Sequence, residues 1–321
     1  CVEPPMLLQL AKRNGVDLPF ASEEEVWAAQ DYGEPALDNF LRYHENCLRV
    51  LQKDTDFYEL AYSFFKRCRE ENIQYVEVMI EGQAHTSRGV EFSDYFPALN
   101  RARADAKRDF DVDANWILNM QRDHSVESSM EILEMARPYI GEITAIGLDN
   151  YEVEDFGLKF ESVFDQARKE GYRLTSHCDC NQPNSIAHIY QCLDVLKVER
   201  LDHGLHVLDD PILTERVHSK KIPLTMCPTR RPSDDGPRRV DDIKKMLDLD
   251  LLVSVNTDDP AEFASRYLNN TMIEVQRAGQ LTVEDVLQLV RNAFTSSWLT
   301  QEAKSKYLAR LDEYAETAPV V

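Results

Sequence analysis

LLVSVNTDDP, residues 251–260, is a largely apolar run, rich in β-branched residues, that ends in two adjacent aspartates and a proline. A short apolar stretch closed by turn residues reads as a strand buried on both faces. Two carboxylates at its end are costly to bury unless a metal, a proton or a donor compensates them. An Asx-Pro turn accounts for one aspartate but not for both. Six further runs of this kind follow one another along the chain: YVEVMI (75–80), NWILNM (115–120), ITAIGLD (143–149), RLTSH (173–177), RLDHG (200–204) and IPLTMC (222–227). Amphipathic helices separate them. Phe160, Val163, Phe164 and Ala167 form one helical stripe that Gly171 stops. After the last run, Thr282 and Asp285 fit a capping box, and Val283, Val286, Leu287, Val290 and Phe294 are expected to face the core.

Strands that alternate with helices imply a parallel sheet with right-handed crossovers, an α/β fold. A closed (β/α)8 TIM-type barrel needs eight strands, whereas an open doubly wound sheet needs fewer. No G-x-G-x-x-G or P-loop follows any run, which speaks against the open sheet. His177, His203 and Asp258 all close a run, and barrel enzymes keep their chemistry at strand C-terminal ends. The expected fold is therefore a (β/α)8 barrel preceded by a helical segment over the first seventy residues, with the first strand upstream of Cys1. No linker or repeat divides the chain, so residues 1–321 are expected to form one domain.

The chain carries 36 basic and 57 acidic side chains, a formal charge of −21. That balance repels phosphate backbones and anionic membranes, so neither nucleic acid nor a lipid surface is an expected partner. No apolar run of 18 or more residues is present. Seven cysteines, an odd number without paired short spacings, fit reduced thiols and a cytoplasmic protein. Cys47, Cys68 and Cys192 fit helix interiors as small hydrophobes, and His188 and His206 read as structural. His85 and Arg88, in GQAHTSRG, either belong to a solvated loop or gate a substrate. RLTSHCDCNQPNS (173–185) is open in the same way: a site of metal or proton chemistry, or a capped strand end with two packed thiols.

Several segments, in order and at family-like separations, resemble the adenosine/adenine deaminase family of metal-dependent amidohydrolases, the adenine deaminase branch above all. They are EPPMLLQLAKRNGV (3–16), GQAHTSRGV (82–90), GLDN (147–150), SHCD (176–179), KVERLDHG (197–204), LTMCPT (224–229) and VNTDDPAEF (255–263). The resemblance implies a (β/α)8 barrel and hydrolytic deamination of a purine-like heteroaromatic amine by a metal-bound hydroxide. It implies one Zn2+ per chain, with His177 and Asp258 as ligands and two more in an H-x-H strand upstream of Cys1, since two are too few for a catalytic zinc. His203 would hold or activate the metal-bound water, Asp259 would hydrogen-bond the ring, and Asn150 would join the substrate site. The H-x-E and P-C-x-x-C pattern of cytidine-type zinc sites is absent. Most relatives carry a glutamate after the strand-end histidine to protonate the ring. Here that register reads Cys178, Asp179, Cys180, so either Asp179 or Cys180 takes the acid's place. The alternatives are the same metal centre acting on a non-purine substrate, and a paralogue that has lost turnover. In CPTRRPSDDGPRR (227–239), Arg230 and Arg231 either pair with Asp234 and Asp235 or hold an anionic group on a small-molecule substrate.

Overall fold

A computed structural model describes residues 2–178 and 183–317. All seven runs are strands: β1 (Tyr75–Glu81), β2 (Asp113–Gln121), β3 (Ile143–Asp149), β4 (Arg173–Cys178), β5 (Arg200–His203), β6 (Leu224–Met226) and β7 (Val253–Val255). Each is parallel to its sequence neighbour, and the sheet order is β1-β2-β3-β4-β5-β6-β7. The sheet is strongly curled. Arg200 on β5 reaches Glu77 on β1 at 2.6 Å, although a flat sheet with strands about 4.8 Å apart would hold them roughly 19 Å apart. This is an α/β TIM-type architecture, with helices packed around the strands. Among the described residues β1 and β7 are the sheet edges and do not pair with each other. A cavity of about 420 Å³ opens between these edges and the strand ends, lined by Val78 and Ile80 on one side and Val255 on the other.

The N-terminal segment is helical, as its apolar rhythm predicts: α1 (Pro4–Asn14), α2 (Glu23–Ala29), α3 (Ala36–Arg49) and α4 (Asp54–Glu70). Proline opens α1, and Gly15 closes it at φ +65°, its amide returning to the Ala11 carbonyl. Asp56 joins α1 to α4. Its fully buried carboxylate accepts from the Gln52 and Lys53 amides, both at 2.9 Å, and from Asn14 Nδ2 at 2.7 Å. The Arg13 guanidinium pairs with its other oxygen.

The helix Glu161–Glu170 buries Val163, Phe164 and Ala167 and ends at Gly171 in the left-handed region, as expected. The helix Val283–Ser296 has the expected Thr282–Asp285 box, and Val286 packs against the core as expected, but the buried face is shifted from the rest of the apolar stripe. Leu289, Asn292 and Ser296 are buried there, while Val283 is 58% exposed. Asn292 Nδ2 donates to the Val253 carbonyl at 2.8 Å, so a polar contact fixes the face that meets β7. Phe294 instead stacks on Tyr307 of the last helix. An apolar period cannot register a face set by asparagine.

Burial alone would raise the Asp56 pKa, but the Gln52 and Lys53 amides, Asn14 and Arg13 together hold it below the usual carboxylate value. A depressed native pKa stabilises the fold above the unfolded carboxylate pKa of about 3.9, and that contribution is lost as pH falls through the native value. Asp56→Asn should therefore lower the urea unfolding free energy by about 2–3 kcal/mol near pH 7. The gap between wild type and variant should narrow below about pH 4. A gap independent of pH would show that the carboxylate charge is not what binds α1 to α4.

Candidate active site

Parallel strands deliver their C-terminal residues to one mouth. His177 comes from β4. Arg122, 1% exposed, donates to its backbone carbonyl. The same guanidinium donates to the Asn150 carbonyl through Nη2 at 2.8 Å, pairs with Glu152 at 3.5 Å and covers the Phe156 ring. One buried arginine thus ties together the ends of β2, β3 and β4. His203 ends β5 with φ +66°, and Gly204 follows at φ +74°. A Cβ on Gly204 would meet Leu224 Cδ2 at 2.7 Å, so only glycine suits both the turn and the packing. The His177 and His203 rings meet edge to face, with centroids 5.1 Å apart. Asp258, past the end of β7, has φ +57°. Left-handed backbone is uncommon in non-glycine residues, and it gathers where a side chain must be aimed.

His203, Cys227 and Asp258 each offer a ligand atom within 4.8 Å of the others. Imidazole, thiolate and carboxylate are donors that zinc accepts. The centre has unusual electrostatics. Burial, then the neighbouring His177, Arg239 and Arg122, push His203 well below the ordinary imidazole pKa and keep it neutral. Burial and the adjacent Asp259 charge push Asp258 up to about 7, with His177 and Arg239 opposing. A carboxyl that the protein makes hard to ionise, set beside an imidazole and a thiol, is one that a bound cation would ionise.

A second group closes the other side. Glu81 ends β1 and lies against Asp149 at the end of β3; burial and the Asp149 charge push the Glu81 pKa well up. Asn119 Nδ2 donates to Asp149 at 2.8 Å. Its Oδ1 sits over Gly147, where a Cβ would approach within 2.1 Å. His44 of α3 meets the buried Glu262 at 3.0 Å, beside Asp259. Two further residues clamp the same segment to the N-terminal helical region. Gln30 donates to the Ala261 carbonyl at 2.8 Å and accepts from the Ala264 amide at 2.9 Å, and Tyr32 donates to the Glu262 carbonyl at 2.8 Å.

Of the expected site residues, His177, His203, Asp258 and Asp259 line this cavity. Asp179 and Cys180 lie outside the described residues. Asn150 is not brought to the cavity lining: its Nδ2 donates to Asp123 at 3.0 Å, and only its carbonyl joins the site, through Arg122. Arg230 and Arg231 are likewise held elsewhere. Arg230 pairs with Glu274 at 3.3 Å, and Arg231 pairs with Asp234 at 3.0 Å. Asp234 also takes Arg238 at 3.2 Å, so one carboxylate folds the loop onto itself. Arg239 is the arginine of this loop that approaches the site, its Nη1 lying 3.4 Å from His203 Nδ1.

His85 is a buried, structured residue, packed edge-on against Phe57 and Tyr95, and burial lowers its pKa to about 3. His188 pairs with Glu152 at 2.8 Å and is structural. Cys47, Cys68 and Cys192 are buried as expected. Sequence reasoning passed over Glu81, Asp149 and Cys227, although each ends or directly follows a recognised strand, and that position was the available signal.

The sequence profile described as adenosine deaminase matches residues 1–314. An adenine deaminase of Hahella chejuensis is 37% identical over 319 residues, covering 98% of this chain and 93% of that protein. Among solved structures, the adenine deaminase from Arthrobacter aurescens superposes with a TM-score of 0.89 at 28% identity, over 98% of this chain and 96% of that one. An amidohydrolase from Burkholderia ambifaria with bound zinc shares the fold, with a TM-score of 0.85 at 23% identity over 98% and 88% of the two chains.

Burial works against a charge on His44, but the Glu262 carboxylate outweighs it, with Asp259 adding to the effect, and the pKa rises to about 9. A raised native pKa means that the pair stabilises the fold fully below the unfolded histidine value of about 6.5, and that this is lost as pH rises through the native value. His44→Gln should cost about 2 kcal/mol in urea unfolding at pH 6. The difference from wild type should fade towards pH 9.5, about where the native pKa has been passed. A cost that stays constant to that pH would show that His44 is neutral in the native protein.

Proposed function

The chain belongs to the adenosine deaminase family, and from that premise we propose that its cavity deaminates a neutral purine-like base or nucleoside about one zinc ion. The protein is a metal-dependent hydrolase acting on C–N bonds. The observation that carries the proposal is the meeting of His177, His203 and Asp258, from three strands, in the lining of one cavity. The donors present fit the metal: His203, Cys227 and Asp258 converge within 4.8 Å, and the His177 ring stands beside that of His203, with centroids 5.1 Å apart. His177 and Asp258 would hold the ion, with Cys227 and His203 within reach. When bound, a zinc ion lowers the pKa of water to about 7 and so makes a nucleophile available at neutral pH.

The side chains supply the rest. Neutral His203 is in the state that takes a proton from water, and it stands beside the ligands. Asp259, on the cavity wall, is assigned the hydrogen bond to the ring that orients the attacked carbon. Protonation of the ring nitrogen is assigned to Asp179 or Cys180. The substrate is taken to be uncharged because the lining sets Asp149, Asp259 and Glu262 against few cations, and Arg200 is engaged by Glu77. Such a field disfavours a phosphate. The engagement of Arg230 and Arg231 with Glu274 and Asp234 weighs in the same direction.

The test is ammonia release from adenine, adenosine, AMP and an aminopteridine, with zinc-loaded and chelator-stripped protein. The expected result is turnover of a neutral amine, a rate on AMP lower by tenfold or more, loss on chelation and recovery with zinc. His203→Gln should lower the rate by about 10²–10⁴-fold. No ammonia from any amine at full zinc occupancy would identify a non-catalytic paralogue. AMP as the preferred substrate would overturn the neutral-substrate assignment.

A further inference from the structure

Asp202 on β5 is 2% exposed and lies below the candidate metal residues. Thr175 Oγ1 donates to its Oδ2 at 2.7 Å, and Thr225 Oγ1 donates to its Oδ1 at 3.0 Å. These bonds rivet β4 and β6 to β5, yet each carboxylate oxygen keeps a free lone pair. Two buried ring or guanidine nitrogens nearby have no hydrogen-bond partner: His177 Nδ1 and Arg200 Nε. Both approach Asp202. His177 Nδ1 is 3.7 Å from Oδ2, and Arg200 Nε is 3.5 Å from Oδ1. Each stands just outside hydrogen-bond reach of the same acceptor.

Arg200 is itself fixed from below. Its Nη1 donates to Glu77 at 2.6 Å, and its guanidinium covers the Trp298 ring at 3.9 Å. Glu77 also accepts from the Trp298 amide at 2.6 Å and the Tyr75 hydroxyl at 2.7 Å. A line of alternating charge therefore rises through the barrel interior from Glu77 through Arg200 and Asp202 to the His177 ring. Burying such a line is costly, and a rivet between strands does not need a charge. A histidine that binds a metal through one nitrogen commonly donates the other N–H to a carboxylate, which sets its tautomer and ring angle.

We infer that Asp202 is the positioning residue for His177, taking its Nδ1–H and leaving Nε2 free to bind the metal, with Arg200 holding the Asp202 carboxylate in place. The inference rests on His177 being a metal ligand. The competing account makes Asp202 a structural rivet through the two threonines alone.

The full chain is titrated with zinc against a chelator of known affinity, for wild type, Asp202→Asn and Thr225→Val. Thr225→Val removes one rivet and leaves His177 untouched. Asp202→Asn should weaken zinc binding by about 10–100-fold, while Thr225→Val stays within about threefold of wild type by the same reasoning. Cobalt-substituted Asp202→Asn should also show an altered visible spectrum. Equal zinc affinity in wild type and Asp202→Asn overturns the inference and leaves the ligand assignment standing. A wild type that takes up no zinc removes the ligand assignment and the inference with it. Should Asp202→Asn not fold, nitrogen-15 spectra of metal-free wild type decide. A proton on His177 Nδ1 supports the inference, and a proton on Nε2 overturns it.

Discussion

Parallel pairing is the constraint from which the rest of this molecule follows. Because every strand among the described residues runs the same way, their seven C-terminal ends open at one end of the sheet. Curling then brings ends that are far apart in sequence into one cavity. Glu81 and Asp258 are separated by most of the chain, yet both line it. The backbone does the aiming at the last step, since His203 and Asp258 both leave their strands through the left-handed region. Arg122 secures the same mouth from behind by holding the carbonyls of His177 and Asn150.

The interior of the sheet is polar to a degree that folding alone would not favour. Glu77, Arg200 and Asp202 are buried with one another, and Glu81 lies against Asp149. Charges removed from water are costly even when paired, and apolar residues of similar size are often as stable or more so. The organisation of these groups explains their presence better than stability does. They rise in line towards the two histidines, so the groups that weaken the core are those that orient the site. The clamp formed by Gln30, Tyr32 and His44 serves the opposite side, holding the segment that follows Asp259.

The strands were legible because parallel strands buried on both faces read as short continuous apolar runs, and the chain punctuates each with turn residues. His177, His203 and Asp258 were legible for the same reason, since a polar residue at the end of such a run stands out. Asp202 was not. It sits inside RLDHG, where one acid between Leu201 and His203 carries no sign of which partners will face it. The His44–Glu262 pair joins residues more than two hundred positions apart, beyond any local spacing. In the loop after β6, composition marked out an arginine cluster but not which member reaches the site. That depends on Asp234, which draws in Arg231 and Arg238 while Arg239 continues to His203. The face of the helix Val283–Ser296 was misread because Asn292, a polar residue, is what docks it.

The central claim is that His177 and Asp258 hold a catalytic zinc between them. Anomalous X-ray diffraction at the zinc edge, from crystals grown with zinc, tests this without recourse to activity. The account predicts one strong peak at about 2.0–2.2 Å from an imidazole nitrogen of His177 and a carboxylate oxygen of Asp258. A peak at His44, Asp259 and Glu262 instead, or no peak at the mouth of the cavity, would contradict it.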